Sequence, residues 1–141
     1  MTVISLHHVA IRVQDPDRSR AFYEKALGLS FLELPVGPEM TAAWRGSPSE
    51  GTLLATQAGD TFVILEPPLE GTPLDDRFSE RRIGMDHVAL AVDDRSDLEK
   101  LVESLQNAGV GTAGIEVDPV LGKEYVCFRD PENVQWEFYM T

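Results

Sequence analysis

Two short stretches of the chain alternate apolar residues with polar or small ones, at the period of two that is typical of a β-strand. They read LHHVAIRVQD at residues 6–15 and MDHVALAVDD at residues 85–94, and five of the ten aligned positions are identical. Self-similarity of this kind indicates that one structural unit occurs twice. Each stretch is therefore predicted to be the first strand of a module.

A helical pattern follows each repeat strand. Asp15 and Pro16 suit the N-cap and the first helical position, and Gly28 suits the left-handed residue that ends the helix. In the second copy the apolar residues recur at the spacing of one helix face, and Gly109 supplies the stop. These residues are Leu98, Leu101, Val102 and Leu105. Each module is therefore predicted to contain one amphipathic helix.

Three strand-like segments complete each half of the chain. They cover about 30–34, 52–57 and 61–66 in the first half, and about 113–117, 124–129 and 133–139 in the second. The interval 35–51 is expected to be a loop. The predicted fold class is α+β, built from two tandem βαβββ modules in one domain of residues 1–141. Module 1 spans about 3–66 and module 2 about 85–140, and the Pro-, Gly- and charge-rich residues 67–84 suit a surface linker.

Charge and composition exclude several classes of function. The chain of 141 residues has 12 basic and 24 acidic side chains, a net charge of −12. That charge repels phosphate backbones and anionic lipids, so we expect neither a nucleic acid nor a membrane as partner. The single cysteine, Cys127, cannot form an internal disulfide, and the N-terminal residues lack the basic and apolar regions of a signal peptide. We therefore expect a cytoplasmic protein.

Alternation along the strands places four candidate metal ligands on the faces turned away from the helices. His8 and His87 occupy matching places in the two repeat strands, and Glu66 and Glu137 end the last strand of each half. A carboxylate that faces a partly closed cavity must be paired, protonated or bound to a metal, because an unmatched buried charge is costly. Two imidazoles and two carboxylates suit one divalent transition metal, namely Zn, Ni, Co, Mn or Fe(II).

Five motifs carry a resemblance to a known family. They are HHVAIRV with His8, FYEKALGL at 22–29, FVILE with Glu66, DHVALAV with His87, and FRDPENVQWEFY at 128–139 with Glu137. In these motifs the chain resembles the vicinal oxygen chelate superfamily over nearly its whole length. This superfamily includes glyoxalase I, methylmalonyl-CoA epimerase, extradiol dioxygenases, and bleomycin and fosfomycin resistance proteins.

The resemblance implies a fold and a chemistry. It implies paired βαβββ units whose curved mixed sheets enclose a cavity for metal and substrate, and a homodimer. It also implies metal ligands at His8, Glu66, His87 and Glu137, with a small substrate that binds the metal through two vicinal oxygens. A lyase or isomerase of this kind would use Glu66 or Glu137 to move a proton on the carbon next to a carbonyl group.

Two alternatives to the lyase or isomerase stay open. The first is an Fe(II)-dependent extradiol-type dioxygenase that uses His8, His87 and Glu137 and leaves the remaining metal positions for catechol and O₂. The second is a metal-free protein that binds an antibiotic or another ligand in the cavity.

Three further residues are candidates for substrate contacts. Arg12 matches the arginine that holds a carboxylate of glutathione in glyoxalase I, and Gln135 and Tyr139 share a strand face with Glu137. The polar amide expected four residues after Glu66 is replaced by Glu70, which would repel an anionic peptide. This departure argues against glutathione as the substrate.

Overall fold

The structure is a computed structural model that describes Thr2, residues 5–45 and residues 51–141. In chain order its elements are β1 (His8–Arg12), α1 (Pro16–Leu27), β2 (Leu32–Val36), α2 (Pro38–Arg45), β3 (Gly51–Ala58), β4 (Thr61–Glu66), β5 (His87–Val92), α3 (Arg95–Ala108), β6 (Ile115–Val117), β7 (Glu124–Arg129) and β8 (Gln135–Met140).

The strands form two four-stranded mixed sheets with the same internal order. The first sheet runs β1-β4-β3-β2 and the second runs β5-β8-β7-β6. In each sheet the first and last strands of the module pair in parallel, and the other neighbours pair antiparallel. Neither sheet closes on itself among the described strands. The predicted α+β class with two βαβββ modules is confirmed.

The residues that begin and end the helices act as their sequence types predict. Asp15 Oδ1 accepts the backbone N–H of Arg18 at 3.0 Å at the start of α1, and Gly28 has a left-handed φ of 66° at its end. Asp94 caps α3 through the N–H of Ser96, and Gly109 ends it at φ 74°. No helix in the described part of the chain combines the length and the apolar character that crossing a bilayer requires.

The interval 35–51 differs from the expected loop, because it contains the helix α2. Pro38 stands at the first helical position, where the N–H that proline lacks would have no partner. Its carbonyl oxygen accepts the Thr41 hydroxyl at 3.0 Å. The sequence PEMTAAWR consists mostly of residues that tolerate a helix well, and this preference outweighs the loop signals that flank it. Residues 46–50 of the interval lie outside the described residues.

The described chain divides into two compact units, and α1 contributes to both. One unit runs to Ala21 and resumes over Leu29–Asp76, and the other consists of Phe22–Gly28 and Arg77–Thr141. In the second unit Tyr23 is fully buried with its ring 5.6 Å from that of Trp136 in an edge-to-face contact. The helix that follows the first repeat strand therefore supplies part of the core of the second unit.

Asp130 is the polar centre of this core. Its Oδ1 accepts the backbone N–H groups of Glu132 at 2.9 Å and Val134 at 2.8 Å. Its Oδ2 accepts the Tyr23 hydroxyl at 2.5 Å and the Trp136 indole N–H at 3.3 Å. Burial raises the pKa of the Asp130 carboxyl, although these donors act in the opposite direction. The buried carboxylate is thus supplied with the hydrogen bonds that its burial requires.

We expect Tyr23→Phe to destabilise the protein by about 1–3 kcal/mol, because it removes a donor from a buried carboxylate and leaves the phenyl ring in place. Urea unfolding followed by tryptophan fluorescence measures this change in the free energy of unfolding. Tyr139→Phe is the matched control, since it deletes a hydroxyl whose bond to Asp118 is only partly buried. Equal losses for the two variants would contradict the role given to Asp130.

Candidate functional site

The parallel pairing of β5 with β8 brings a histidine and a glutamate together. His87 is the partner of Gln135 in this pairing, and Ala89 is the partner of Glu137. Since alternate residues share a face, His87, Ala89 and Glu137 lie on the same side of the sheet. The Nε2 atom of His87 is 3.6 Å from Oε2 of Glu137, and the two side chains are 39% and 13% exposed. Small Ala89 leaves the space above the sheet open between them.

Each member of this pair is held from its other side. Nδ1 of His87 is 2.7 Å from Oδ1 of Asp86, and Oε1 of Glu137 accepts the side-chain N–H of Gln135 at 3.3 Å. Gln135 in turn accepts a guanidinium N–H of Arg129 at 3.3 Å. A continuous line of polar contacts therefore runs from Asp86 to Arg129 through the pair.

Arg129 is the fixed end of this line. Its guanidinium donates to both carboxylate oxygens of Glu80 at 3.0 and 3.3 Å, and to the backbone carbonyl of Asn133 at 2.9 Å. A planar guanidinium that meets two carboxylate oxygens is restricted in orientation. The position of Gln135 beside Glu137 is thereby set by residues outside the pair.

A cysteine and two tyrosines share the sheet face of Glu137. Cys127 is the direct β7 partner of Glu137, and burial, followed by the Glu137 charge, raises the pKa of its thiol. The thiol is therefore protonated at neutral pH, which fits a small apolar filler better than a nucleophile. The rings of Tyr125 and Tyr139 stack with centroids 5.8 Å apart, and the Tyr139 hydroxyl donates to Asp118 at 2.7 Å. Together they form an aromatic wall beside Glu137.

In the first unit the corresponding pairing gives a different result. His8 is the partner of Phe62 in the pairing of β1 with β4, whereas Glu66 is the partner of Arg12. His8 and Glu66 therefore stand four residues apart along the sheet, about 13 Å at the usual rise of a strand. The Arg12 guanidinium binds Glu66 Oε2 at 2.7 Å and also donates to the carbonyl of Pro67 at 2.7 Å. The structure joins Glu66 to Arg12 and does not bring it to His8.

Glu66 and Glu137 do not occupy equivalent positions in the two strand pairings. Glu137 stands two residues beyond the strand partner of His87, and the residue two beyond the strand partner of His8 is Ile64. The sequence-based expectation paired Glu66 with Glu137 because both stand near the end of a strand. That position does not determine which residue of the neighbouring strand each glutamate faces. An isoleucine thus occupies the position in the first unit that Glu137 has in the second.

The donor chemistry of His87 and Glu137 fits a divalent transition metal. An imidazole nitrogen and a carboxylate oxygen are common ligands of such ions, and two donors at about 2.1 Å from one tetrahedral ion stand about 3.4 Å apart. The observed separation is 3.6 Å. Among the residues that the structure describes, no three His, Cys, Asp or Glu side chains gather as a group able to hold a metal. The pair is therefore a candidate for two of the donors that such an ion needs.

Comparisons with known proteins identify the family and the fold. Residues 5–138 match the sequence model of the Glyoxalase/Bleomycin resistance protein/Dioxygenase superfamily. The uncharacterised protein YwkD of Bacillus subtilis is 30% identical over 140 residues, which are 99% of this chain and 98% of that protein.

Two solved structures have the same fold. The glyoxylase/bleomycin resistance protein/dioxygenase domain from Frankia sp. EAN1pec has a TM-score of 0.77 at 24% identity, over 99% of this chain and 98% of that one. Lactoylglutathione lyase from Agrobacterium tumefaciens has a TM-score of 0.64 at 19% identity, over 96% of this chain and 92% of that one. The family model therefore places the chain in this superfamily, and the two solved structures share its fold.

The aromatic wall yields a prediction about pH. Desolvation, the hydrogen bond to Asp118, and the charges of Asp118 and Glu137 raise the pKa of Tyr139 to about 12 from its ordinary value of 10.0. Because the folded pKa is the higher one, this contribution to the free energy of unfolding is present below pH 10 and is lost as the pH rises towards 12.

We expect Asp118→Asn to lower the pKa of Tyr139, as measured by NMR of the tyrosine Cζ resonance. Glu116→Gln is the control, since the Glu116 charge acts on Tyr125; a larger effect of this control on Tyr139 would contradict the assignment.

Proposed function

Because the chain belongs to the glyoxalase/bleomycin resistance protein/dioxygenase superfamily, we propose that it is a metal-dependent enzyme of the lyase or isomerase type. Its substrate would be a small molecule with two vicinal oxygens. The observation that carries this proposal is the pair of His87 and Glu137, which face each other at 3.6 Å on an open sheet face. The distance is too long for a hydrogen bond and is close to the separation of two donors on one tetrahedral ion.

The proposed ligands are His8, His87 and Glu137, and the role of Glu66 follows from its contacts. Arg12 already binds a carboxylate oxygen of Glu66, and Ile64 stands at the position equivalent to Glu137. Both observations favour three protein ligands over four. Glu66 then serves the reaction as a base.

The metal would supply Lewis-acid stabilisation for the negative charge that develops on the substrate oxygens. Glu66 accepts the proton from the carbon next to the carbonyl group, with Arg12 fixing its orientation. Glu137 keeps its ligand orientation through the hydrogen bond from Gln135 to its Oε1. The stacked Tyr125 and Tyr139 offer an apolar surface for the carbon skeleton of the substrate.

Metal titration of purified protein without a histidine tag tests this proposal. We expect one Zn, Ni, Co, Mn or Fe(II) ion to bind per site, with Co(II) giving a visible absorption band. His87→Ala and Glu137→Gln should each lower the affinity by at least tenfold, because each removes a ligand. Glu66→Gln should retain metal and lose turnover, because Glu66 moves a proton and is not a ligand.

Glu116→Gln is the matched control for Glu137→Gln, since Glu116 lies on β6 of the same sheet and outside the ligand set. Wild-type protein that binds none of these ions would overturn the proposal. A loss of metal in Glu66→Gln equal to that in Glu137→Gln would instead return Glu66 to the ligand set.

The second candidate function is an Fe(II)-dependent extradiol-type dioxygenase, and the same set of three ligands favours it. Two histidines and one carboxylate form the facial triad of Fe(II) oxygenases, which leaves positions for catechol and O₂. The ion pair of Glu66 with Arg12 removes the second carboxylate, which as a fourth ligand would compete for these positions.

Two measurements on the Fe(II)-loaded protein separate the two reactions. A dioxygenase consumes O₂ in the presence of a catechol, and His87→Ala abolishes the consumption. A lyase or isomerase consumes no O₂ and instead exchanges the substrate C–H for deuterium in D₂O, which Glu66→Gln slows by about 100-fold or more, the usual contribution of a general base. Oxygen consumption across a catechol panel with no solvent exchange would reverse the order of the two candidates.

A further inference from the structure

The residue immediately before each candidate histidine ligand contacts the same ring atom of that histidine. Nδ1 of His87 is 2.7 Å from Asp86 Oδ1, and Nδ1 of His8 is 2.9 Å from Nδ1 of His7. We propose that Asp86 and His7 are positioning residues that hold Nδ1 of the following histidine and so present its Nε2 as the electron-pair donor. This inference rests on the proposed metal-dependent function.

For His87 the partner of Nδ1 is a carboxylate. An ionised carboxylate only accepts hydrogen bonds, so Asp86 requires the proton of a neutral His87 ring to be on Nδ1. Nε2 then carries the free electron pair, and it is this atom that faces Glu137 at 3.6 Å. Hydrogen bonds from the second nitrogen of a histidine ligand to a carboxylate fix the tautomer and the orientation of the ring.

For His8 the neighbouring ring takes the place of the carboxylate. One of two facing Nδ1 atoms must donate and the other accept, and the assignment that matches His87 makes His8 the donor. The His7 ring lies edge-on to His8 at 5.2 Å and also contacts the Phe62 ring at 5.8 Å. Phe62 is the strand partner of His8. The contact of the His7 ring with Phe62 therefore helps to hold His7 beside His8.

The start of each strand explains how neighbouring side chains can meet. Adjacent residues within a strand point to opposite faces. The strands β1 and β5 begin at His8 and His87, so His7 and Asp86 precede the regular alternation. The two preceding residues are not identical between the repeats, yet both make a contact with Nδ1. The repeated feature is therefore the contact and not the residue type.

Nitrogen NMR of the metal-free protein labelled with ¹⁵N tests the inference. In the wild type we expect His8 and His87 as Nδ1–H tautomers. Asp86→Ala should shift His87 towards the Nε2–H tautomer and leave His8 unchanged, and His7→Ala should do the reverse. Asp86→Asn, which keeps a side-chain oxygen as acceptor, should restore the wild-type tautomer. Asp93→Ala is the matched control at the other end of β5, and it should change neither ring.

Zn titration of the same variants supplies the second measurement. We expect Asp86→Ala to weaken Zn binding by about 10–100-fold, the usual cost of losing such a partner, with a smaller loss for Asp86→Asn. Asp86 is 69% exposed, so its removal should leave the thermal unfolding midpoint unchanged. Tighter Zn binding in Asp86→Ala than in Asp93→Ala would overturn the inference.

The tautomers separate this inference from the proposed function. A wild-type His87 with its proton on Nε2, or an Asp86→Ala variant with the wild-type tautomer, would overturn the positioning role whether or not metal binds. The expected tautomers in a protein that binds no metal would support the orientation of the rings and overturn the metal-dependent function.

Discussion

The parallel pairing between the first and last strands of each unit is the constraint on which the site depends. Parallel neighbours cannot be joined by a tight turn, so each pair needs a long connection. The elements α1, β2, α2 and β3 lie between β1 and β4, and α3, β6 and β7 lie between β5 and β8. The pairing of β5 with β8 places Ala89 opposite Glu137, and His87 two residues earlier on the same face. Shifting this register by one residue would move Glu137 to the face that packs on the helix. The backbone pairing of β5 with β8 therefore places His87 and Glu137 close enough for their side chains to meet.

The same pairing in the first unit holds different chemistry. There the strand end carries a guanidinium and a carboxylate, Arg12 and Glu66, joined at 2.7 Å. Ile64 occupies the position that corresponds to Glu137. One architecture thus presents two candidate metal donors in one unit, and a salt bridge beside an apolar residue in the other. In the proposed function the second unit accordingly supplies two of the three ligands, and the first unit supplies His8 and the base Glu66.

The sequence predicted the features that depend on local pattern. The repeat, the two helices with their glycine stops, and the strand faces of His8, His87 and Glu137 were all recognisable, because alternation and capping are local properties. The resemblance to the superfamily was confirmed by the family match over residues 5–138. The helix α2 was missed, since its favourable helix composition lies between residues typical of loops.

Features that depend on pairing between distant segments could not be predicted from the sequence. The spacing along the chain could not reveal that Glu66 meets Arg12, because no turn joins β1 to β4 and packing of the buried face sets their register. The contact of Tyr23 with Asp130 likewise joins residues over a hundred positions apart. The same holds for the place of the second half of α1 in the second unit, which depends on contacts distant in sequence. The metal, the homodimer, the cytoplasmic location and the roles of Gln135 and Tyr139 towards a substrate stay predictions.

The most direct test of the proposed metal site is a crystal structure of the protein soaked with Zn or Co(II), with anomalous diffraction recorded at the metal edge. We expect one anomalous peak per site, bonded to Nε2 of His87 and to a carboxylate oxygen of Glu137, with His8 as the third protein ligand and Glu66 still bound to Arg12. A peak bonded to other side chains, or none at saturating metal, would contradict it.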